Sequence, residues 1–273
     1  YVYAEDDMRT RAREFLQAFG SRTEHFEVIY ASKAFPCTAA YRLFAEEGLS
    51  CDVASAGELH LALAGGFDPG RIYMHGNNKT EEELEYAVER GVGTIVLDSF
   101  DEIERLQRIA PRQRVMLRVT PGIKPSTHSY IQTGQEDSKF GFTLSDGIAL
   151  EALRRANDIS PGALVGIHAH IGSQIFELAA YDLAVQRLAA FLAEAKESFG
   201  FEASELNLGG GLGIAHTHDE MTPDPSESVN RMLAAVDREF RSVGLPVPDV
   251  LVEPGRSLVG SSAVTLYRVG TVK

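Results

Sequence analysis

Eight short runs of apolar and β-branched residues, separated by segments of helical periodicity, constrain this chain more than any other feature. The runs are "FEVIYAS" (26–32), "CDVAS" (51–55), "IYMHG" (72–76), "TIVLDS" (94–99), "RVMLRVTP" (114–121), "LVGIHAHIG" (164–172), "LNLGGG" (206–211) and "VLVEPG" (250–255). Between them, apolar residues recur at three and four, as on an amphipathic helix. Gly48, Gly91 and Gly200 stand where helix ends favour glycine. Thr80 followed by Glu83 is the pattern of a capping box. Alternating strands and helices imply parallel pairing with right-handed crossovers. Eight such repeats fit an α/β fold of the (β/α)8, TIM-barrel type. An open doubly wound sheet is the competing arrangement. The first strand–helix turn lacks GxGxxG, which weakens its dinucleotide-binding version.

With 44% hydrophobic residues among 273, the chain can bury a sizeable core, and a single barrel domain over 1–273 accounts for it. The net charge of −13 and the lack of a basic stripe argue against nucleic acid as a partner. No apolar run reaches the roughly 18 residues of a membrane span, so none is expected. Cys37 and Cys51 belong to no CxxC pair and read as reduced thiols of a cytoplasmic protein. The chain opens on Tyr1 and closes on "VTLYRVGTVK", which reads as a strand. The expectation is a piece of a longer, two-domain chain.

In such barrels chemistry gathers at the C-terminal ends of the strands. That filter selects Lys33, Asp52, Ser55, His75, Asp98, Arg118, His168, His170, Ser173, Gly209 to Gly211, Glu253 and Arg256. Lys33 is either an amine snorkelling from a strand end or one that forms an imine. Gly209, Gly210 and Gly211 make either a tight turn or a phosphate cradle, and cradles often follow the seventh strand of such barrels. Glu253 and Arg256 form either a structural ion pair or a carboxylate for a ring nitrogen with a guanidinium for an anion. His168 and His170 share one side of their strand. They suit a metal, a flat face for a ring, or simple barrel filling. The metal reading lacks a convincing third and fourth ligand, with His75 and Asp98 the ones to draft, and no metal is expected. The loop "GIKPSTHSYIQTGQEDSKFGF" (122–142) carries His128, Lys139 and Phe140 and is long enough to be functional. An imine-forming amine, a phosphate cradle, a carboxylate and a flat imidazole together are what pyridoxal phosphate requires.

The motifs "YASKAF", "HIGSQ", "GGGLG" and "EPGR", in this order and at these strand ends, resemble the fold type III pyridoxal-phosphate decarboxylases, whose barrel is alanine-racemase-like. The long loop and "GNNKTEEEL" are similar to the diaminopimelate-specific branch, which decarboxylates meso-2,6-diaminopimelate to L-lysine and CO2 in lysine biosynthesis. The resemblance implies that Lys33 binds pyridoxal 5'-phosphate covalently, that His170 stacks on its ring and that Glu253 faces the ring nitrogen. It places Ser173 and Gly209 to Gly211 at the phosphate, Asp52 and Glu58 near the lysine, and Arg256 at the phosphate and substrate. His128 and Lys139 would meet substrate. The family also carries a β domain that completes the site across a homodimer, and nothing in this sequence matches it. Ornithine, arginine, lysine and carboxynorspermidine decarboxylases share the barrel, as do non-catalytic pyridoxal-phosphate-binding proteins.

Overall fold

The computed structural model describes residues 1–123, 139–159, 162–216 and 220–272. All eight expected strands form: β1 (Phe26–Ala31), β2 (Ser50–Val53), β3 (Ile72–Met74), β4 (Thr94–Leu97), β5 (Val115–Thr120), β6 (Leu164–Ala169), β7 (Glu205–Asn207) and β8 (Asp249–Val252). Every neighbouring pair is parallel, and β8 pairs with β1 through Val250↔Phe26, so the sheet closes into a barrel. The eight helices α1 (Glu5–Gly20), α2 (Thr38–Glu46), α3 (Ala56–Gly65), α4 (Glu81–Glu89), α5 (Phe100–Ile109), α6 (Ile148–Ile159), α7 (Ala179–Phe199) and α8 (Pro225–Ser242) ring it. After β8 comes only the four-residue α9 (Arg256–Val259), and α1 fills the gap between α8 and α2.

Local chemistry fixes the helix ends. Ser55, Thr80, Ser99 and Asp224 accept the amide of the residue three positions on, and Thr80 with Glu83 closes the expected capping box. Gly48, Gly91 and Gly200 adopt positive φ just past their helices.

Strand alternation sorts side chains into two cores. Val28, Tyr30, Cys51, Ile72, Met74, Ile95, Leu97 and Val250 pack outward against the helices. Ile29, Tyr73, Val96, Met116 and Leu251 meet in a small cluster of their own inside the barrel. This apolar plug separates two polar ends.

The tail read as a strand is one only at Ala263–Val264, which pairs antiparallel with Val2–Tyr3. A closed barrel offers it no edge, and Leu266, Tyr267, Val269 and Val272 beyond it are exposed. Among the described residues no helix is long and apolar enough to cross a membrane.

Candidate active site

The parity that buries Ile29 inside the barrel carries Lys33 to its mouth. The strand stops at Ala31, and a 3-10 turn, Ser32–Ala34, turns the lysine out. Asp52 on the next strand anchors that turn by accepting the Ser32 amide at 2.8 Å. Among the described residues, no hydrogen bond or ion pair engages the Lys33 amine. It lines a cavity of about 570 Å³ with His170, Ser173, Gly210, Gly211, Glu253 and Arg256. Seven of the site residues expected from sequence therefore meet at one mouth.

Glu253, at the end of β8, is the most heavily engaged of them. His168 Nε2 lies 3.1 Å from its Oε2, His75 Nε2 lies 2.9 Å from its Oε1, and Asn207 Nδ2 donates to Oε1 at 2.8 Å. Burial pushes the carboxyl pKa up, but the two imidazoles outweigh it and hold Glu253 well below the usual carboxylate range. Burial likewise lowers His168, to about 4, so this imidazole is neutral and its Nε2–H serves the carboxylate. A carboxylate has about four acceptor positions. His168 and Asn207 occupy two and His75 sits beside Oε1 by charge and proximity, which leaves a position on Oε2 for a further donor.

Asp52 sits beneath Lys33, nearly buried, and its pKa rises to about 6. Burial is the main cause and the Glu253 charge the second, opposed by His75 and Lys33. His170 is held well below its ordinary value by burial, then by the charges of Lys33 and Arg118. It presents a neutral ring to the cavity.

The glycine triplet is a backbone requirement. A Cβ on Gly210 would stand 2.1 Å from the Glu253 carbonyl oxygen, and one on Gly211 would stand 2.3 Å from that of Gly172. Asn207 Oδ1 accepts the Gly209 amide at 2.8 Å, and Tyr181 Oη donates to the Gly210 carbonyl at 2.8 Å. Gly209 thus sits behind the cavity wall while Gly210 and Gly211 form it.

Other expectations fall elsewhere. Glu58 accepts the Ala54 amide at 2.7 Å and caps the start of α3, a structural duty. Lys139 is exposed and is not part of the cavity wall. Its carbonyl accepts Asn77 Nδ2 at 3.2 Å. His128 lies outside the described residues. Asp98, drafted as a metal ligand, instead accepts the Gly141 amide at 2.7 Å and faces Arg118 at 3.7 Å. His75, His168 and Glu253 are the three that come together, with candidate ligand atoms within 4.8 Å. Asn207, Gln174 and Tyr181 were not singled out from the sequence. Of these, Asn207 was findable, because the inward parity of Asp249, Leu251 and Glu253 on β8 is matched on β7 by Glu205, Asn207 and Gly209.

A (β/α)8 barrel with a lysine, a glycine cradle and a clamped glutamate at its mouth defines a class of cofactor-binding barrels. The family described as "Pyridoxal-dependent decarboxylase, pyridoxal binding domain" matches residues 5–260, and the chain belongs to it. It is 45% identical to the diaminopimelate decarboxylase of Halalkalibacterium halodurans over 278 residues, covering 100% of this chain and 63% of that protein. It is 47% identical to that of Mycobacterium leprae over 281 residues, covering 100% of this chain and 59% of that protein. The crystal structure of diaminopimelate decarboxylase from M. jannaschii in co-complex with L-lysine superposes with a TM-score of 0.86 at 31% identity, over 95% of this chain and 61% of that one. The chain thus spans about 60% of the length of the relatives it matches.

Proposed function

We propose that this chain is the pyridoxal-phosphate-binding barrel of a longer diaminopimelate decarboxylase, which converts meso-2,6-diaminopimelate to L-lysine and CO2. The observation that carries the reading is the convergence of Lys33, His170, Glu253 and the glycine cradle on one cavity. The names of its relatives, and the L-lysine in the M. jannaschii complex, direct the choice of substrate.

The donor set fits the cofactor. Lys33 offers an amine that no hydrogen bond or ion pair engages among the described residues. Ser173, Gly210 and Gly211 line a wall whose glycines admit no Cβ, because neighbouring backbone oxygens lie within 2.1 and 2.3 Å of where it would stand. Glu253 keeps one acceptor position for a ring N–H, and His170 supplies a flat neutral face. When bound, pyridoxal phosphate supplies an electron sink for the charge left as CO2 departs. The chain's own part is to hold that sink ready. His75, His168 and Asn207 keep Glu253 ionised, and Glu253 keeps a proton on the ring nitrogen. Arg256, exposed at the start of α9 and on the cavity wall, is placed to bind an anionic group of cofactor or substrate.

The open face of the cavity supports a site completed by a second domain from a homodimer partner. The free thiols Cys37 and Cys51 accord with a cytoplasmic setting. Incubating the full-length protein with pyridoxal phosphate and meso-diaminopimelate, ornithine, arginine or lysine, and measuring CO2 release, tests the reading. Release is expected from diaminopimelate at least tenfold faster than from the others. Preference for another of these amino acids would reassign the substrate, and no cofactor uptake would overturn the reading.

A further inference from the structure

The "HIGSQ" motif holds one side chain that neither lines the cavity nor fills the core, Gln174. It adopts φ of 57°, one of two non-glycine residues with positive φ among those described. Side chains at such angles cost of order 1 kcal/mol and persist where surrounding contacts enforce them. Here the contacts are explicit. Gln174 Nε2 donates to the Ile214 carbonyl at 3.1 Å, and the Ile214 amide donates to Gln174 Oε1 at 3.0 Å. The side-chain amide thus presents a donor and an acceptor as a peptide unit does.

This pairing extends a short parallel ladder. The Ile175 amide donates to the Gly211 carbonyl at 2.9 Å, and the Gly213 amide donates to the Ile175 carbonyl at 3.0 Å. The loop after β6 and the loop after β7 are therefore zipped together beyond the ends of their strands. Ser173, just before Gln174, lines the cavity, as do Gly210, Gly211, Leu212 and Ile214 on the facing loop. At their nearest the two loops leave no room for a side chain, since a Cβ on Gly211 would press on the Gly172 oxygen.

The geometry points to Gln174 as a positioning residue that latches these two loops at the spacing needed to hold a phosphate group between Ser173 and the glycines. The inference rests on the reading under Proposed function and names the side chain that sets the shape of its phosphate site. The chemistry asks for glutamine. Glutamate would turn an acceptor toward the Ile214 carbonyl, and alanine would satisfy neither Ile214 group.

The test measures equilibrium binding of pyridoxal phosphate and of pyridoxal, which lacks the phosphate, to the full-length protein and to Gln174→Ala, Gln174→Glu and Gln174→Gly. Glycine suits the positive φ, so Gln174→Gly keeps the backbone at ease while removing the amide. All three variants are expected to bind pyridoxal phosphate about tenfold more weakly, an effect the size of one or two lost hydrogen bonds. Pyridoxal affinity should stay within about twofold of wild type. Equal weakening for both ligands would mean that Gln174 serves the fold and not the phosphate, and would overturn the inference. Wild-type affinity for pyridoxal phosphate in Gln174→Gly would overturn it as well. Failure of the unsubstituted protein to bind pyridoxal phosphate would instead refute the functional reading beneath it, and the inference with it.

Discussion

The barrel has a polar floor and a polar mouth, separated by one apolar layer of Ile29, Tyr73, Val96, Met116 and Leu251. On the floor, Glu27 accepts from Ser50 and Tyr73, and Arg114 donates to Thr94 and Glu205. Each of these side chains is engaged with a neighbour, although Glu205 Oε2 has no hydrogen-bond partner among the described residues. At the mouth, among the described residues, His168 Nδ1 finds no hydrogen-bond partner, and no hydrogen bond or ion pair engages the Lys33 amine, which lines the cavity. The same strands build both ends with the same inward parity. What differs is whether polar capacity is used up, as a structural plug requires, or held back for a guest. Substitutions at the mouth should therefore cost chemistry, and those on the floor should cost stability.

The largest effect is expected from Lys33→Ala. Among the described residues Lys33 makes no hydrogen bond or ion pair, so the thermal midpoint should move by no more than about 2 °C. Borohydride should no longer fix pyridoxal phosphate to the protein, and decarboxylation should fall by at least about 10³. A reduced adduct at another lysine would show that the mouth has been misassigned.

Glu253→Gln is next. Size and some hydrogen bonding survive, while the charge proposed to keep a ring nitrogen protonated is lost. Removing one preorganised interaction with developing charge costs about 10²–10³ in kcat. Single-turnover decarboxylation should show that loss with cofactor still bound. A destabilised variant of normal kcat would return Glu253 to a structural role like that of Glu205 on the floor.

The legibility of the two ends in sequence differs for the same reason. The eight strands and the ring of helices were readable because a closed parallel barrel imposes short apolar runs at regular spacing. Lys33, His170, Ser173, Glu253 and the glycines were readable because they follow those runs directly. The clamp on Glu253 was only half visible. His75 and His168 stood on the rim, but their convergence on one carboxylate depends on strands far apart in the chain, and Asn207 lay within a run that looked like plain strand. The ladder made by Gln174 depends on a side chain imitating backbone, which no periodicity announces. The floor passed unnoticed because Glu27, Arg114 and Glu205 look like ordinary surface charges until the barrel closes around them.

A smaller effect, one of pH, sharpens the contrast. Asp52, with its pKa raised to about 6 against about 3.9 unfolded, favours the fold at low pH, and that contribution is lost as pH rises toward 6. His168, lowered to about 4 against about 6.5, does the reverse, because the unfolded chain takes up the proton first as pH falls. The two slopes oppose one another between about pH 4 and 6. Asp52→Asn keeps an oxygen for the Ser32 amide and removes one slope. The variant should gain on the order of 2 kcal/mol relative to wild type on going from pH 4 to pH 7. Urea melts at the two pH values would show it, and an unchanged difference would mean that Asp52 is not held protonated by the mouth.

The smallest effect should come from the floor. Tyr73 is buried, packs its ring in the apolar plug and gives its hydroxyl to Glu27. Tyr73→Phe keeps the ring and deletes the hydroxyl alone. Glu27 is half-buried and retains Ser50, so its carboxylate can recruit water in place of the lost donor. The cost should be that of a single hydrogen bond, about 1 kcal/mol, or a few degrees in thermal midpoint. The rate per folded molecule should not change, because Ile29, Val96, Met116 and Leu251 still fill the layer between floor and mouth. Melting curves and single-turnover rates on the same preparation decide it. A fall in kcat of more than about twofold at unchanged stability would show that the plug transmits the state of the floor to Glu253, and the division of labour between the two ends would have to be abandoned.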